Sequence, residues 1–456
     1  MLNLKLVKYM IMKKTVIFFW LVIVCLSINS QDLQRKAFFG AYIKDSVNAS
    51  GQSEVMILKI VEKSTAEKIK ALPGDVIIKL NDLKISKQAD FNSSLNKLRQ
   101  NDKIRVEVQR KGKVLLLTGT VLGKSQETAE SGEVIYDSFD FEGGKIRVIV
   151  DKPALTGKLP AVLFIQGYTC SSMDNLGDHP YGQFVKKLAK QGFVVMRVEK
   201  PGEGDNLNTQ ECTEIDLNTE IKAFELGLQK LKQYDFVDTE NVFIYGHSMG
   251  GIIGPVIASR NQVKGVIVYG TSIKTWSEYI PEMFRFQNPY FGVDYLENEK
   301  AVKGVQEIMY QFYKQKKSPE EIAQNKELEK IMTDFLQYDG NGHLFTRSYK
   351  YLQQIDDYNM TEIWSKIDSY VLSVFGEFDF EAFSDFEHKT IADVVNFYHP
   401  GKAEFMQMDG TTHAFSKVKS MKDGVENYNY KFMVENFNDD VVLKTAEWIK
   451  KVMNQN

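Results

Sequence analysis

The chain has 456 residues, of which 43% are hydrophobic, 12% aromatic and 26% charged, with 31 glycines and 10 prolines. This composition is typical of a globular protein and excludes a collagen-like or mostly disordered chain, and the length predicts two or three domains. The net charge of −3 gives no general reason to expect nucleic-acid binding.

The charge is divided unevenly along the chain. Residues 31–125 carry 18 Lys/Arg and 10 Asp/Glu, whereas residues 126–456 carry 35 Lys/Arg and 50 Asp/Glu. This change from net positive to net negative predicts two domains with different partners, although solvated surface alone can also produce it.

The first 30 residues have the organisation of an export signal. Lys13 and Lys14 precede an apolar run of 12 residues, 15–26, and the small and polar residues that follow end in Ser30. A basic start, a short apolar core and a small residue before the cut are typical of a secretory signal peptide, and a membrane span needs about 20 apolar residues. We therefore predict that residues 1–30 are a signal peptide and that the mature protein is exported, periplasmic or secreted, without a stable membrane span. The alternatives are a retained anchor and lipidation at Cys25.

Residues 36–124 form the first predicted domain. Periodicity and turn residues predict strands at 55–61, within 72–82, at 103–110 and at 115–121, and helices at 64–71 and 91–99. This order and the segment from Leu72 to Leu80 resemble a bacterial PDZ domain. The resemblance implies that a loop formed by Phe38, Phe39, Gly40 and Ala41 offers backbone N–H groups to the carboxylate end of a peptide. In the alternative interpretation, the two phenylalanines only pack in the core.

Residues 134–456 form the second predicted domain. Strands are predicted at 145–150, 160–165, 193–198, 241–245, 264–269, 370–375 and 403–408, and helices at 181–191, 214–233 and 252–260. This alternation predicts an α/β fold with a mostly parallel sheet covered by helices on both faces. Residues 272–365 interrupt the alternation and are predicted to be a helical cap insertion.

The motif Gly246-His247-Ser248-Met249-Gly250 predicts a nucleophile. It follows an apolar strand and precedes an apolar helix of small residues, and a sharp strand-to-helix turn exposes the serine hydroxyl.

Serine needs a base, and His413 lies in a glycine-containing loop after the last predicted strand, whereas the other five histidines lack such a setting. The base needs a carboxylate. Asp379, directly after strand 370–375, is the candidate, with Glu377 and Asp385 as competitors.

The order Ser248, Asp379, His413 and the segments 246–251 and 376–379 resemble the α/β-hydrolase superfamily, closest to its serine aminopeptidase-like and acyl-esterase-like members. The resemblance implies an oxyanion hole formed by the N–H groups of Met249 and Tyr168. It also implies that the loop 199–205 frames the pocket.

Two cysteines, Cys170 and Cys212, remain after removal of the signal. They lie near the ends of two predicted strands, and an oxidising compartment favours their pairing, with two free thiols as the alternative. There is no paired-histidine motif and no pair of cysteines at zinc-binding spacing, so we predict no metal and no cofactor.

These observations predict an exported serine hydrolase that cleaves carboxylic esters through an acyl-enzyme, with a PDZ-like domain for a peptide or partner. A serine peptidase is the main alternative, because the same machinery cleaves peptides. A non-catalytic binding protein is a third possibility.

Overall fold

The computed structural model describes residues 33–48 and 50–455, so the predicted signal peptide lies outside the described residues. The strands are β1 (Ala41–Val47), β2 (Ser53–Ile60), β3 (Val76–Leu80), β4 (Leu83–Lys84), β5 (Lys103–Arg110), β6 (Lys113–Thr120), β7 (Glu133–Phe141), β8 (Gly144–Lys152), β9 (Leu159–Ile165), β10 (Val194–Val198), β11 (Val237–His247), β12 (Gly265–Tyr269), β13 (His343–Leu344), β14 (Arg347–Ser348), β15 (Tyr370–Gly376) and β16 (Ala403–Met408).

The helices are α1 (Thr65–Lys68), α2 (Gln88–Asn96), α3 (Pro180–Lys190), α4 (Leu217–Leu231), α5 (Gly250–Ala258), α6 (Trp276–Gln287), α7 (Tyr295–Met309), α8 (Pro319–Ile322), α9 (Lys326–Leu336), α10 (Tyr349–Ile355), α11 (Met360–Ser365), α12 (Asp385–Tyr398), α13 (Met421–Glu426), α14 (Tyr430–Glu435) and α15 (Asp440–Met453). None of these helices is long and apolar enough to cross a bilayer.

The N-terminal sheet is antiparallel, in the order β1-β2-β3-β5-β6, with β4 paired to β3. Its inward side chains alternate with exposed ones, as expected for a sheet with one buried face. They pack with Phe91 of α2 into a separate apolar core. Strand β1 lies at the edge of this sheet, so one of its sides has no strand partner in the described chain.

The C-terminal sheet has eight strands in the order β16-β15-β12-β11-β9-β10-β8-β7. Its six strands from β16 to β10 are parallel, and β8 and β7 add antiparallel pairs at one edge. Helices α3 and α15 cover one face of the sheet, and α4, α5 and the cap lie over the other. The predicted α/β class is confirmed.

The segment 272–365 folds as predicted into helices, α6 to α11, with the small hairpin β13–β14 between them. Its buried side chains, such as Ile280, Val305 and Trp364, are continuous with the core on the α5 face of the sheet. The cap is therefore fixed to the sheet by apolar packing, and it covers the end of the sheet where the parallel strands terminate.

A buried ion-pair network joins the N-terminal unit to the C-terminal unit. The guanidinium of Arg35 pairs with Asp205 and, at 2.6 Å, with Asp174. Arg147 of β8 lies 3.3 Å from the same Asp205 carboxylate, and the Lys36 N–H donates to it at 2.7 Å. Because a buried charge without a partner costs several kcal/mol, about 3–5 when one member of a pair is removed, this network holds the two units in one orientation.

Candidate active site

Ser248 lies at the sharp turn between β11 and α5. Its φ of 55° is in the left-handed region, and its N–H donates to the Tyr269 carbonyl at 2.9 Å. The turn needs glycines, since a Cβ on Gly246 would lie 2.2 Å from the Gly250 carbonyl oxygen and one on Gly250 would lie 2.2 Å from the Ile165 carbonyl oxygen. The strained backbone presents the serine side chain at the carboxyl edge of the sheet.

His413 and Asp379 meet beside this turn. Nδ1 of His413 lies 3.0 Å from Oδ1 and 2.9 Å from Oδ2 of Asp379. Oδ1 also accepts from the N–H groups of Glu381 at 2.9 Å and Ala382 at 2.7 Å. The carboxylate is therefore fixed by its own loop, and it holds the imidazole through Nδ1, so that Nε2 points away from Asp379.

The two groups shift each other's pKa. Burial opposes the charged imidazolium, but the charges of Asp379 and Glu381, together with the hydrogen bond to Asp379, outweigh it and raise the pKa of His413 to about 9. Burial also disfavours the Asp379 carboxylate, yet the charge and hydrogen bond of His413 hold its pKa below the ordinary value. Asp379 is therefore ionised at neutral pH.

The proposed oxyanion donors, Met249 and Tyr168, lie beside Ser248. Both line the cavity that contains Ser248, and among the hydrogen bonds of the described residues neither N–H has an acceptor. Nζ of Lys200 donates to the Gly167 carbonyl at 2.6 Å. This carbonyl belongs to the same planar trans peptide as the Tyr168 N–H, so the buried ammonium fixes the direction of that N–H and polarises it.

The loop 199–205 therefore lies behind the site instead of framing the pocket. Lys200 pairs with the fully buried Glu220 at 3.0 Å, and Arg347 pairs with the other Glu220 oxygen at 2.5 Å. None of the loop's residues is among those that line the cavity in the described chain. Through Lys200, this loop anchors the peptide that carries the proposed oxyanion donor, Tyr168.

Ser248 and His413 open into a cavity of about 560 Å³. Its walls come from the elbow, the cap and the loops after β15 and β16, and they are mostly apolar or aromatic, including Met249, Ile252, Trp276, Ile280 and Met283. A concave, mostly apolar pocket with a few polar groups at one end is typical of a small-molecule site.

The remaining histidines and the competing carboxylates lie outside this cavity. Nε2 of His247 donates to the His413 carbonyl at 2.9 Å, and His179 and His388 accept backbone N–H groups. His343 pairs with Glu214 and Asp339, and His399 with the Ser365 carbonyl.

Asp385 pairs with Lys389 at the exposed start of α12, and Glu377 accepts the Gly410 N–H at 2.6 Å, which fixes the loop before His413.

Comparison with known proteins agrees with this geometry. A family model described as PDZ domain matches residues 29–121, and one described as serine aminopeptidase, S33, matches residues 165–332. The matches confirm the predicted resemblance to a PDZ domain and to an α/β-hydrolase. The second match agrees with the prediction that the protein is a hydrolase.

Individual relatives are more distant. Esterase EstD of Thermotoga maritima is 24% identical over 146 residues, which cover 31% of this chain and 33% of the relative, so the match spans about a third of that protein. Est1E from Butyrivibrio proteoclasticus has 15% identity and a TM-score of 0.43, with 71% of this chain and 100% of that chain covered. A Pyrobaculum calidifontis esterase has 15% identity and a TM-score of 0.45, with coverage of 71% and 87%.

In the predicted peptide loop of the PDZ domain, some residues are used in the domain's own packing and others keep their N–H groups available to a ligand. The Phe38 N–H donates to the Leu122 carbonyl at 2.7 Å and is not free for a ligand. The ring of Phe39 is buried against Phe91, with ring centroids 4.9 Å apart. The N–H groups of Phe39 and Gly40 have no acceptor among the described residues, and Ala41 begins the edge strand β1. Two backbone donors thus lie next to an unpaired strand edge.

Cys170 and Cys212 form a disulfide in the structure. The Arg347 guanidinium lies against both sulfurs, at 3.0 Å and 3.1 Å, and 3.4 Å from the Tyr168 carbonyl. A carboxylate oxygen of Glu203 lies within 4.8 Å of the same two sulfurs, but sulfurs joined in a disulfide are not available as thiolate ligands. The bridge instead ties the oxyanion loop to the chain that follows the 199–205 loop.

We expect peptide mapping without reduction to recover Cys170 and Cys212 in one cross-linked peptide pair. Replacing both by alanine should lower the free energy of unfolding by about 2–4 kcal/mol, because the bridge spans 42 residues and restricts the unfolded chain. Chemical denaturation of the variant and of the native protein measures this. Two thiols that alkylate without reduction would contradict the pairing.

Several residues of the site were not found from the sequence. Glu220, Lys200 and Arg347 are far apart in the chain, and a single charged residue in an apolar pattern is more often a surface residue. Glu381 and Tyr428 also line the cavity. The one sequence signal for Glu381 was its place two residues after Asp379, in a segment that was predicted to lie beside His413.

Proposed function

We propose that the protein hydrolyses carboxylic esters through an acyl-enzyme formed on Ser248. The observation that carries this proposal is that Ser248, the His413–Asp379 pair and two free backbone donors converge on one apolar cavity. His413 takes the serine proton and returns it to the leaving alcohol, while the N–H groups of Met249 and Tyr168 bind the oxyanion. Water then releases the acyl group by the same steps in reverse.

The walls of the cavity favour an ester with an apolar acyl group. Apart from the catalytic end, the lining is dominated by aliphatic and aromatic side chains, and the exposed area is mainly apolar. The similarity to an esterase, although confined to 146 residues, points to the same chemistry. A peptide backbone would bring several polar N–H and C=O groups into this cavity, and each would need a partner there.

A serine peptidase remains the second candidate, because the matched family model is described as serine aminopeptidase. The test begins with a fluorophosphonate probe, which labels an activated serine in either case. A panel of neutral acyl esters is then compared with aminoacyl and peptidyl amides of matched size. Faster turnover of esters by orders of magnitude supports esterase function, whereas comparable amide turnover supports the peptidase. A protein that neither reacts with the probe nor turns over either series is a binding protein.

We propose export as the setting of this activity. The basic and apolar start of the chain and the disulfide between Cys170 and Cys212 both favour an oxidising compartment. Amino-terminal sequencing of the mature protein tests the predicted cleavage after Ser30.

For the PDZ domain, we propose recognition of a peptide carboxyl end at the loop before β1. Among the described residues, the N–H groups of Phe39 and Gly40 have no acceptors, and the edge of β1 can accept an added strand. The surplus of basic residues in 31–125 favours an anionic ligand. Titration with peptides that end in a free carboxylate, compared with the same peptides ending in an amide, tests this role.

Deleting residues 31–124 is expected to leave turnover of a small ester within a few-fold of the native rate. All residues that line the cavity lie between Tyr168 and Tyr428, and after the deletion Arg147 still pairs with Asp205. Steady-state kinetics on a truncation whose folding is checked by circular dichroism measures this. A folded truncation that has lost small-ester activity by orders of magnitude would show that the PDZ domain helps to complete the site, by way of the 199–205 loop.

A further inference from the structure

The reactive nitrogen of His413 faces a second carboxylate. Nε2 lies 3.2 Å from Oε2 of Glu381, while Nδ1 is held by Asp379. No hydrogen bond among those of the described residues joins Nε2 to the Ser248 hydroxyl. The imidazole therefore lies between two carboxylates, and the nitrogen that must accept the serine proton is within ion-pair distance of Glu381, without a hydrogen bond to it among those of the described residues.

The two carboxylates differ in their freedom to move. The Asp379 side chain is fully buried, whereas the Glu381 side chain is 39% exposed. The backbone of Glu381 is anchored, since its N–H donates to Asp379 at 2.9 Å and its carbonyl accepts from the Tyr279 hydroxyl at 3.0 Å. Its other carboxylate oxygen accepts from the Tyr428 hydroxyl at 2.7 Å. A rotation of the side chain alone can therefore release His413.

Glu381 also lies where a substrate must come. It lines the cavity together with Ser248 and His413, and it is the single carboxylate among the lining residues of the described chain. A neutral ester seated over Ser248 brings its leaving oxygen to Nε2, because this nitrogen must later protonate that oxygen. The leaving group and the Glu381 carboxylate therefore compete for one position.

We propose that Glu381 is a positioning residue that keeps His413 protonated in the free enzyme, and that bound substrate displaces its carboxylate from Nε2. Once the Glu381 carboxylate has moved away, Nε2 of His413 loses its proton to solvent next to the exposed Glu381 side chain. Nε2 then takes the proton of Ser248. Asp379 stays in place throughout and holds the Nδ1 proton. This inference rests on the proposed function, in which Ser248 and His413 perform the chemistry.

The surrounding groups leave His413 as the residue that titrates in the neutral to alkaline range. Burial, together with the charge of His413, lowers the pKa of His247 to about 3, and burial lowers the pKa of His388. Burial raises the pKa of the neighbouring tyrosines, Tyr181, Tyr269, Tyr279 and Tyr428. The charges that act on the imidazole are thus those of Asp379 and Glu381, which raise its pKa to about 9.

The sign of the pH effect follows from the role of the base. His413 must be neutral to accept a proton, so kcat/KM, which reports the free enzyme, should rise with pH up to about 9. The kcat profile reports the complex, in which Glu381 has left Nε2, and its rise should come about one to three pH units lower. A separation between the two profiles is the signature of displacement by substrate.

The test compares Glu381→Gln with the native enzyme on a neutral ester between pH 5 and 10. The variant keeps a side chain of the same size but not its charge. The apparent pKa of the rising part of its kcat/KM profile should therefore fall toward that of the kcat profile, and kcat/KM at pH 7 should increase by about tenfold or more. Tyr428→Phe, which removes the hydroxyl that holds Glu381, should move this apparent pKa in the same direction by less. Asp385→Asn removes one charge from the exposed start of α12 and should leave both profiles unchanged.

A second measurement does not need turnover. In the Ser248→Ala background, an NMR titration of the His413 ring should give a lower pKa when Glu381 is glutamine. An unchanged ring pKa and an unmoved kcat/KM profile would overturn the proposal, as would a Glu381→Gln variant that is slower at every pH by a constant factor. Failure of the proposed function has a different outcome, namely Ser248→Ala protein that still hydrolyses the ester.

Discussion

Replacing Ser248 by alanine is expected to lower kcat toward every ester the protein hydrolyses by about 10⁶-fold, because the acyl-enzyme can no longer form. The fold should survive, since the change removes one oxygen from a half-buried residue in a turn that is held by β11, α5 and the Ser248 N–H bond to Tyr269. Steady-state and single-turnover kinetics on the purified variant measure the loss, and the fluorophosphonate probe should no longer label the protein.

The control for this experiment is the structure of the variant itself. Far-ultraviolet circular dichroism and the unfolding transition should match those of the native protein. If Ser248→Ala retains most of its activity on any substrate of the native enzyme, then the acyl-enzyme mechanism is wrong and another group attacks the carbonyl.

Asp379→Asn is expected to lower kcat by about 10⁴-fold at neutral pH. The carboxylate holds the proton on Nδ1 of His413 at 2.9 Å, whereas an amide can donate to Nδ1 and so favour the tautomer with the proton on Nε2. That tautomer cannot accept the serine proton. The amide oxygen can still accept the N–H groups of Glu381 and Ala382, so the loop should keep its shape. Kinetics over a range of pH measure the loss.

Asp385→Asn is the matched control, because Asp385 was one of the two competing candidates, with Glu377. The structure places it on the surface, paired with Lys389 at 2.5 Å, and an exposed pair of this kind contributes at most about 1 kcal/mol to stability. Its activity should remain near that of the native enzyme. Equal losses for the two variants would mean that Asp379 is not the partner of His413.

The central strands were predictable because burial on both faces leaves a simple signal. Strands β9 and β12 are short, continuous apolar runs, and β10 is apolar except for Arg197. A parallel sheet between two helical layers requires this kind of pattern. Their observed bounds, Leu159–Ile165, Val194–Val198 and Gly265–Tyr269, lie within one residue of the predicted ones. Strand β16 was predicted at its observed bounds.

Two of the edge strands, β1 and β7, were not predicted, since an edge needs only partial burial, whereas the edge strands β6 and β16 were. Strand β1 (Ala41–Val47) has no fully buried residue, and β7 (Glu133–Phe141) has one, Phe141. Their polar and apolar residues alternate weakly, so that composition alone does not separate them from a loop. Only pairing with β2 and β8 makes them strands, and that pairing depends on the folded sheet.

The sequence by itself determined the fold class and the three groups proposed for the chemistry. The elbow around Ser248 is a local structure that its own glycines require, and Asp379 and His413 follow strands whose ends must lie at the same edge of a parallel sheet. Tertiary structure alone decided how these groups are controlled. Lys200, Glu220 and Glu381 act by their charge, and the effect of a charge depends on distances of a few ångströms and on burial, which residues far apart in the chain acquire only when the fold brings them together.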